Sequence, residues 1–192
     1  MNIAVDGPAG AGKSSIAKLV AAKLGLTYID TGAMYRSLAL ECIRSGIDLS
    51  DEKTVSGFIE DVDVKLSYEN GSLSVFLNGD DVTLDIRAEN VGKGASIVAK
   101  YPAVRNKLVD LQQKMAKEGS CIMDGRDIGT VVLPGAELKI YLTASSLVRA
   151  KRRYLELKEK GETPDLDEIE KDIIKRDEQD MTDRKSTRLN SS

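Results

Sequence analysis

Eight consecutive residues near the start of the chain have the types and spacing needed to hold a polyphosphate. The pattern G-x-x-x-x-G-K-[ST] is matched by Gly7-Pro8-Ala9-Gly10-Ala11-Gly12-Lys13-Ser14. Glycines allow successive backbone N–H groups to curve around phosphate oxygens, the lysine bridges the β- and γ-phosphates, and the hydroxyl ligates Mg²⁺. The segment therefore predicts an ATP-binding loop that includes Ser15, with Lys13 catalytic and Ser14 a metal ligand.

A second group of charged residues directly follows an apolar segment at residues 120–123. Ligands of open α/β sheets sit at the carboxyl ends of the strands, which is where Arg126 and Asp127 fall. Asp124 ends the same strand and is a candidate for holding Mg²⁺ through water. The alternative for Asp124 is a purely structural turn residue.

Three arginines form a strongly cationic stretch in a chain of net charge −3. Phosphoryl transfer is stabilised mainly by positioned positive charge, so Arg149, Arg152 and Arg153 are candidates for stabilising the transferring phosphoryl group. They are also compatible with solvated helix charges paired at i,i+4. Arg36 and Arg105, taken alone, are better interpreted as surface charges on helices.

The composition excludes several other chemistries. The chain has no histidine, which excludes Ser-His-Asp triads and histidine-ligated metals. Its slight acidity argues against a long nucleic acid as partner, and no apolar run is long enough to span a membrane. Cys42 and Cys121 are predicted to be reduced core residues. A guanine-reading Asn-Lys-x-Asp motif is absent, so a GTPase is disfavoured, and we expect a cytoplasmic enzyme.

The periodicity of apolar residues predicts the elements that position these groups. Strands are predicted at residues 3–6, 26–30, 120–123 and 138–142, the last two buried and parallel. Helices are predicted from Lys13, from about 34 to 46, and at about 103–117, 145–160 and 165–181. Alternating strands and helices of this kind indicate an α/β fold with a parallel sheet wrapped by helices.

One segment interrupts this alternation. Residues 62–66 and 73–77 alternate apolar and polar side chains around the turn Glu69-Asn70-Gly71-Ser72, which is typical of a β-hairpin. We therefore expect a small inserted subdomain at about residues 58–100.

Several motifs resemble those of bacterial cytidylate kinases, in the same order and at similar spacing. The segments that carry the resemblance are Gly7-Pro8-Ala9-Gly10, Asp30-Thr31-Gly32-Ala33-Met34-Tyr35-Arg36, Leu77-Asn78-Gly79-Asp80-Asp81-Val82-Thr83 with Ile86-Arg87, and Asp124-Gly125-Arg126-Asp127-Ile128-Gly129-Thr130. The resemblance covers Met1 to about Thr182. It implies a P-loop nucleoside monophosphate kinase fold with a core domain at 1–182, an acceptor-binding insert and a lid at about 145–162.

The resemblance also implies roles for individual residues. Ser96, Arg105 and Asp127 match the family's cytosine-reading positions, and Arg36 and Arg126 match those that hold the acceptor phosphate. Arg176 and Asp180 match the sugar-side pair, and Thr31 stands beside these substrate-binding positions. Catalytic roles are expected for Lys13, Arg126, Arg149 and Arg153, and an ATP-binding role for Arg152.

The end of the chain departs from the family pattern. After R-D-x-x-D, Asp183 stands where the family has an arginine, and Arg184 is one residue out of register. We expect the family's final strand and helix to be missing, leaving an exposed strand edge. The ten residues from Asp183 to Ser192 can be back-translated as GATCGGAAGAGCACACGTCTGAACTCCAGT, which resembles a common sequencing-adapter read. Our hypothesis is a non-native tail, and the alternative is an ordinary polar, disordered one.

The expected reaction is transfer of the γ-phosphoryl group of ATP to CMP, and also to dCMP, with Mg²⁺ as cofactor. The enzyme is expected to be a monomer acting on small molecules. A kinase of another small acceptor, such as a different nucleoside monophosphate or shikimate, is the nearest alternative. A nucleotide-binding module without catalysis is the alternative from another class.

Overall fold

A computed structural model of the chain describes residues 1–69 and 71–189. The chain divides into two compact units, residues 1–6 with 14–140, and residues 7–13 with the chain from Tyr141 onward. Within the described residues the strands are β1 (Asn2–Asp6), β2 (Thr27–Asp30), β3 (Val64–Glu69), β4 (Ser72–Leu77), β5 (Asp80–Asp81), β6 (Cys121–Gly125) and β7 (Leu138–Tyr141). The helices are α1 (Lys13–Leu24), α2 (Thr31–Arg44), α3 (Glu52–Phe58), α4 (Glu89–Val98), α5 (Pro102–Lys117), α6 (Ser146–Glu159) and α7 (Leu166–Leu189).

The main sheet of the first unit has the strand order β2-β6-β1-β7. Both β1 and β2 run parallel to β6, and helices connect successive strands, which confirms the predicted α/β architecture. The register places Asp30 opposite Asp124 and Asp6 opposite Gly125. Since parallel strands end at the same edge, three carboxylates are brought to the carboxyl edge of the sheet.

The centre of this sheet is buried on both faces. Residues 3–5 of β1 and 121–123 of β6 are apolar and almost fully buried, as expected for strands that are covered on both sides. The edge strand differs. All four residues of β7 are exposed, with Leu138 at 48% and Ile140 at 38% exposed. The prediction that residues 138–142 form a buried strand was therefore wrong on burial, because β7 lies at the edge of the sheet.

The inserted segment forms a second, antiparallel sheet in the order β3-β4-β5. Val64 pairs with Leu77 and Glu69 with Ser72, which confirms the predicted hairpin; the predicted turn residue Asn70 lies outside the described residues. The amphipathic helix α4 follows, buries Val91 and Val98, and packs against α2. The insert is therefore anchored to the helix that begins at Thr31.

The second unit contains α6 and α7, which pack against each other. Ser145 caps α6 by accepting a hydrogen bond from the Val148 backbone, and Gly161, at a φ of +82°, follows its end. Helix α7 continues to Leu189, whereas the sequence predicted its end near residue 181. The backbone at residues 183–189 is therefore helical.

The two cysteines in the described residues are both free and buried, as predicted. Burial raises the pKa of the Cys42 thiol to about 11, with the neighbouring Glu41 carboxylate adding to the rise. A search of the described helices finds none with the length and apolarity required to cross a bilayer.

Candidate functional site

The loop between β1 and α1 has the backbone of a phosphate cradle. Gly7, Gly10 and Gly12 all have positive φ. A Cβ on Gly7 would overlap the backbone carbonyl of Leu142, so glycine is required there on steric as well as conformational grounds. The buried Lys13 begins the helix, and its Nζ donates to the Pro8 carbonyl at 2.9 Å. The lysine is thereby folded back over the loop.

Arg149 of α6 makes a hydrogen bond to this loop. Its side chain is only 4% exposed. The guanidinium donates from Nη1 to the Ala9 carbonyl at 3.2 Å and from Nε to the Ala144 carbonyl at 2.9 Å. The same group forms a bidentate ion pair with Asp177 of α7, in which Nη1 lies 3.0 Å from Oδ1. Sequence reasoning selected Arg149 and missed Asp177, because the two residues lie on different helices.

The other two lid arginines have different surroundings. Arg152 is exposed and donates to the Gly10 carbonyl at 3.2 Å, so it also reaches the loop. Arg153 pairs instead with Glu156 of its own helix at 2.9 Å. The structure thus brings two of the three predicted arginines, Arg149 and Arg152, to the loop of residues 7–13.

The remaining predicted residues of the second unit lie on α7. Arg176 is exposed and Asp180 is half-buried, one helical turn apart. Asp177, between them in sequence, makes the ion pair with Arg149.

Asp124, which is 4% exposed, is the centre of a hydrogen-bond network in the first unit. Ser14 Oγ donates to its Oδ2 at 2.8 Å and Tyr28 Oη donates to its Oδ1 at 3.0 Å. The Thr31 hydroxyl donates to its backbone carbonyl at 2.8 Å. Burial raises the pKa of Tyr28, and the carboxylates of Asp30 and Asp124 raise it further, so the phenol remains a donor. Tyr28 is a partner of this carboxylate that sequence reasoning missed.

Two arginines converge on Asp30 at the end of β2. Arg36 Nη2 lies 3.2 Å from Asp30 Oδ2, and Arg87 Nη2 lies 3.9 Å from the same oxygen. Burial lowers the pKa of Arg36, Asp30 opposes this, and the positive charge of Arg87 lowers it further. Arg36 Nε is buried without a partner among the described residues. Two guanidiniums share one carboxylate here, so the donors outnumber the acceptor oxygens of Asp30.

A third arginine pairs with the carboxylate that follows β6. Arg105 Nη2 of α5 lies 2.6 Å from Asp127 Oδ2, and both side chains are largely buried. The neighbouring Tyr35 has its pKa raised to about 12, mainly by burial, with Arg105 lowering and Asp127 raising it. The half-buried Ser96 donates to the Gly92 carbonyl of α4 at 3.3 Å. The Arg105 donor, the Asp127 acceptor and the Tyr35 phenol are thus clustered, as binding of a polar heterocycle would require.

Arg126 is half-buried between Gly125 and Asp127, at the carboxyl edge of the sheet. It therefore lies at the strand end predicted from sequence. Ser15 is exposed on the first turn of α1.

Comparison with known proteins gives a consistent result. A family model described as cytidylate kinase matches residues 3–192. The cytidylate kinase of Pelotomaculum thermopropionicum is 52% identical over 182 residues, which cover 94% of this chain and 80% of that protein. The cytidylate kinase of Caldicellulosiruptor bescii is 51% identical, covering 95% of this chain and 80% of that protein.

A third relative, the cytidylate kinase of Shouchella clausii, is 49% identical over 181 residues and covers 94% of this chain and 80% of that protein. Among solved structures, TT1252 from Thermus thermophilus matches with a TM-score of 0.44 and 16% identity, over 98% of this chain and 84% of that one. That likeness is too weak to assign a fold or a function.

Proposed function

Since the chain belongs to the cytidylate kinase family, we propose that it transfers the γ-phosphoryl group of ATP to CMP, giving ADP and CDP. The observation that carries this proposal is the identity of about half of all residues with curated cytidylate kinases over almost the whole chain. The pairing of Arg105 with Asp127 supports it, because these groups can read a cytosine.

The donor nucleotide is proposed to bind at residues 7–15. The three positive-φ glycines direct backbone N–H groups toward the phosphates, and the helix dipole of α1 adds to the attraction. Lys13 would leave the Pro8 carbonyl and contact the transferring phosphoryl group. Arg149 and Arg152 would fix the loop carbonyls of Ala9 and Gly10 while their charge offsets that of the phosphates.

The residues around Asp124 fit a magnesium ion. A carboxylate and a hydroxyl already lie 2.8 Å apart, and both are oxygen ligands of the kind Mg²⁺ prefers. Within the described residues no cluster of three or more acidic, histidine or cysteine side chains could form a complete cage. Ser14, and Asp124 through water, would therefore share the ion with the nucleotide phosphates. Bound there, Mg²⁺ would neutralise phosphate charge.

The acceptor phosphate is proposed to bind to Arg36 and Arg126, with Arg87 as an additional contact. The unpartnered Nε of Arg36 and the excess of positive charge around Asp30 support an anion at this position. Arg176 and Asp180 are proposed to bind the sugar. Thr31 would act mainly by fixing the Asp124 backbone.

The base is proposed to be read by Ser96, Arg105 and Asp127. Arg105 can donate to the acceptor atoms of the ring, and Asp127 can accept from the exocyclic amine of cytosine. Uracil has a carbonyl at that position, which a carboxylate would repel. Discrimination between CMP and UMP follows from this one group, and dCMP should be accepted because the base is unchanged.

The transfer itself needs no covalent intermediate. A phosphate oxygen of CMP forms the new P–O bond as the bond from the γ-phosphorus to the β,γ-bridging oxygen breaks, and ADP leaves. Such transition states are loose, so positioned positive charge supplies most of the acceleration. Lys13, Arg126, Arg149 and Arg153 are the proposed sources of that charge.

The proposal is tested by measuring ADP release with a panel of acceptors that contains CMP, dCMP, UMP, AMP and shikimate. We expect the highest kcat/KM for CMP or dCMP. Faster turnover of UMP or AMP would contradict the assignment, and ATP binding without turnover of any acceptor would indicate a binding module. We also propose a monomeric, cytoplasmic enzyme; light scattering coupled to gel filtration tests the oligomeric state.

The enzyme domain is proposed to comprise residues 1–182, with the segment from Asp183 onward dispensable. That segment is polar apart from Leu189, so it offers little apolar surface to bury. Deleting residues 183–192 should leave kcat/KM for CMP within about twofold of the parent chain, a range that corresponds to about 0.4 kcal/mol. A larger loss would show that the segment contributes to the enzyme.

A further inference from the structure

Asp6, the last residue of β1, makes contacts that the proposed mechanism does not use. Its carboxylate accepts hydrogen bonds from two consecutive backbone N–H groups, those of Ile128 at 2.7 Å and Gly129 at 2.9 Å. These residues begin the π-helical turn Ile128–Val132, which directly follows Asp127. The Asp6 side chain, on β1, thus caps a turn that follows β6.

This arrangement is unusual because Asp127 itself occupies the N-cap position of that turn. An aspartate at an N-cap ordinarily accepts hydrogen bonds from the first free N–H groups of its own helix. Here the Asp127 side chain makes no such bond, and its backbone has φ −138° and ψ 29°. Its carboxylate is directed instead to Arg105, 2.6 Å away. Asp6 therefore performs the capping that would otherwise occupy Asp127.

The turn lies so close to Asp6 that the available space limits which residue type fits at position 129. A Cβ on Gly129 would lie 3.3 Å from Asp6 Oδ2 and 3.1 Å from the Lys139 side chain. Contacts this short force the neighbouring groups to move. Gly129 is therefore part of the contact between the turn and the Asp6 carboxylate. A substitution of Gly129 would disturb that contact just as a substitution of Asp6 would.

We infer that Asp6 is a positioning residue for base selection, because by capping the Ile128–Val132 turn it frees the Asp127 carboxylate to discriminate cytosine from uracil. The inference rests on the proposed function. If Asp6 loses its two hydrogen bonds, the turn gains free N–H groups, and Asp127 stands at the N-cap position from which a carboxylate ordinarily accepts such groups. Capping and base reading then compete for one carboxylate.

The test is Asp6→Asn, with kcat/KM measured for CMP and for UMP. The amide oxygen can accept one N–H, but the amide nitrogen is a donor and would face the other. We expect the CMP:UMP ratio to fall on the order of tenfold, as loss of a buried polar contact does. The matched control is Asp48→Asn, because Asp48 also accepts a backbone N–H, from Ser50 at 2.9 Å, in an exposed loop. It should leave the ratio unchanged.

A double-mutant cycle separates positioning from general damage. In an Asp127→Ala background no carboxylate remains to be freed, so Asp6→Asn should change the ratio by less than about twofold. If Asp6→Asn slows CMP and UMP equally in the parent background, Asp6 is merely structural and the inference is overturned. Should Asp6→Asn fail to fold by circular dichroism, Gly129→Ala decides by the same criterion. If the parent enzyme does not prefer CMP to UMP, the proposed function is overturned together with this inference. If the parent enzyme prefers CMP and the Asp6→Asn variant has the same CMP:UMP ratio, only this inference is overturned.

Discussion

At the scale of single residues, the proposed base-reading groups satisfy each other when no base is present. The ion pair between Arg105 and Asp127 leaves neither charge unpaired in a largely buried site. We propose that a bound cytosine would replace part of this pairing with its own donors and acceptors. Binding would then gain little net energy from these groups, and their main effect would be on discrimination between bases.

The first prediction concerns that discrimination. In Asp127→Asn the side chain presents an amide donor where the carboxylate accepted, and uracil offers a carbonyl at that position. We expect kcat/KM for CMP to fall and that for UMP to rise, so that their ratio drops at least tenfold. Steady-state kinetics with both acceptors measure it. Asp61→Asn, an exposed position, is the control, and an unmoved ratio would show that Asp127 does not read the base.

The second prediction concerns the buried phenol beside the proposed magnesium site. Tyr28→Phe removes the hydrogen bond from Oη to Asp124 Oδ1. The carboxylate loses one of the contacts that orient it, so we expect the Mg²⁺ concentration for half-maximal activity to rise several-fold, with kcat at saturating Mg²⁺ nearly unchanged.

The matched control for this prediction is Tyr68→Phe. The Tyr68 ring packs edge-on against Tyr28 with centroids 5.7 Å apart, so the variant also loses a phenolic hydroxyl but keeps the ring contact. It should leave the Mg²⁺ dependence unchanged. Identical Mg²⁺ titrations for Tyr28→Phe and the parent enzyme would rule out an orienting role for Tyr28.

At the scale of elements, the ion pair between Arg149 and Asp177 links helices α6 and α7 at the loop of residues 7–13, which we propose binds phosphate. The guanidinium of Arg149 contacts the Ala9 carbonyl and the Asp177 carboxylate of the neighbouring helix at the same time. Because Arg149 is almost fully buried, its charge needs this partner. The position of the loop is thereby linked to the packing of the two helices.

The third prediction follows from that link. Asp177→Asn removes the negative charge and one side of the bidentate contact, which frees Arg149 from its fixed orientation. We expect KM for ATP to rise about tenfold, KM for CMP to change little, and the free energy of unfolding to fall by about 1–3 kcal/mol. Asp172→Asn, an exposed position on the same helix, is the control. Equal effects on both KM values would indicate global damage instead of loop positioning.

At the scale of the whole molecule, the main sheet has one strongly apolar edge. Leu138, Ile140 and Tyr141 of β7 are each between 38% and 62% exposed. An exposed edge strand with apolar side chains is a template for association with other chains. Aggregation of this chain in solution should therefore depend mainly on β7.

The fourth prediction concerns this edge. The double substitution Leu138→Thr with Ile140→Thr places β-branched residues at both positions of the strand and removes exposed apolar surface. We expect less aggregation on heating and in concentrated solution, measured by light scattering, with kcat/KM for CMP within about twofold because no proposed site residue is altered. Leu84→Thr, which removes the most exposed large apolar residue elsewhere, is the control. An equal decrease in aggregation in both variants would show that β7 does not contribute more to aggregation than other exposed apolar residues.

The sequence alone was sufficient for those features that depend on short segments of chain. A run of glycines between a strand and a helix determines a phosphate loop locally, and the alternation at residues 62–77 determines a hairpin. For the same reason the positions of Arg126 and Asp127 after a strand could be predicted, whereas Arg36 was selected through the family resemblance. These are properties of neighbouring residues, which the order of the amino acids directly records.

The tertiary structure decided which distant groups meet. Asp177 reaches Arg149, Arg87 joins Arg36 at Asp30, and Asp6 caps the turn after Asp127 only because of strand register and helix packing. Burial was decided in the same way, since β7 has an apolar sequence yet lies at an edge. A carboxylate separated from its partner by more than a hundred residues, as Asp6 is, leaves no periodic signal in the sequence, because the contact depends on the three-dimensional path of the intervening chain.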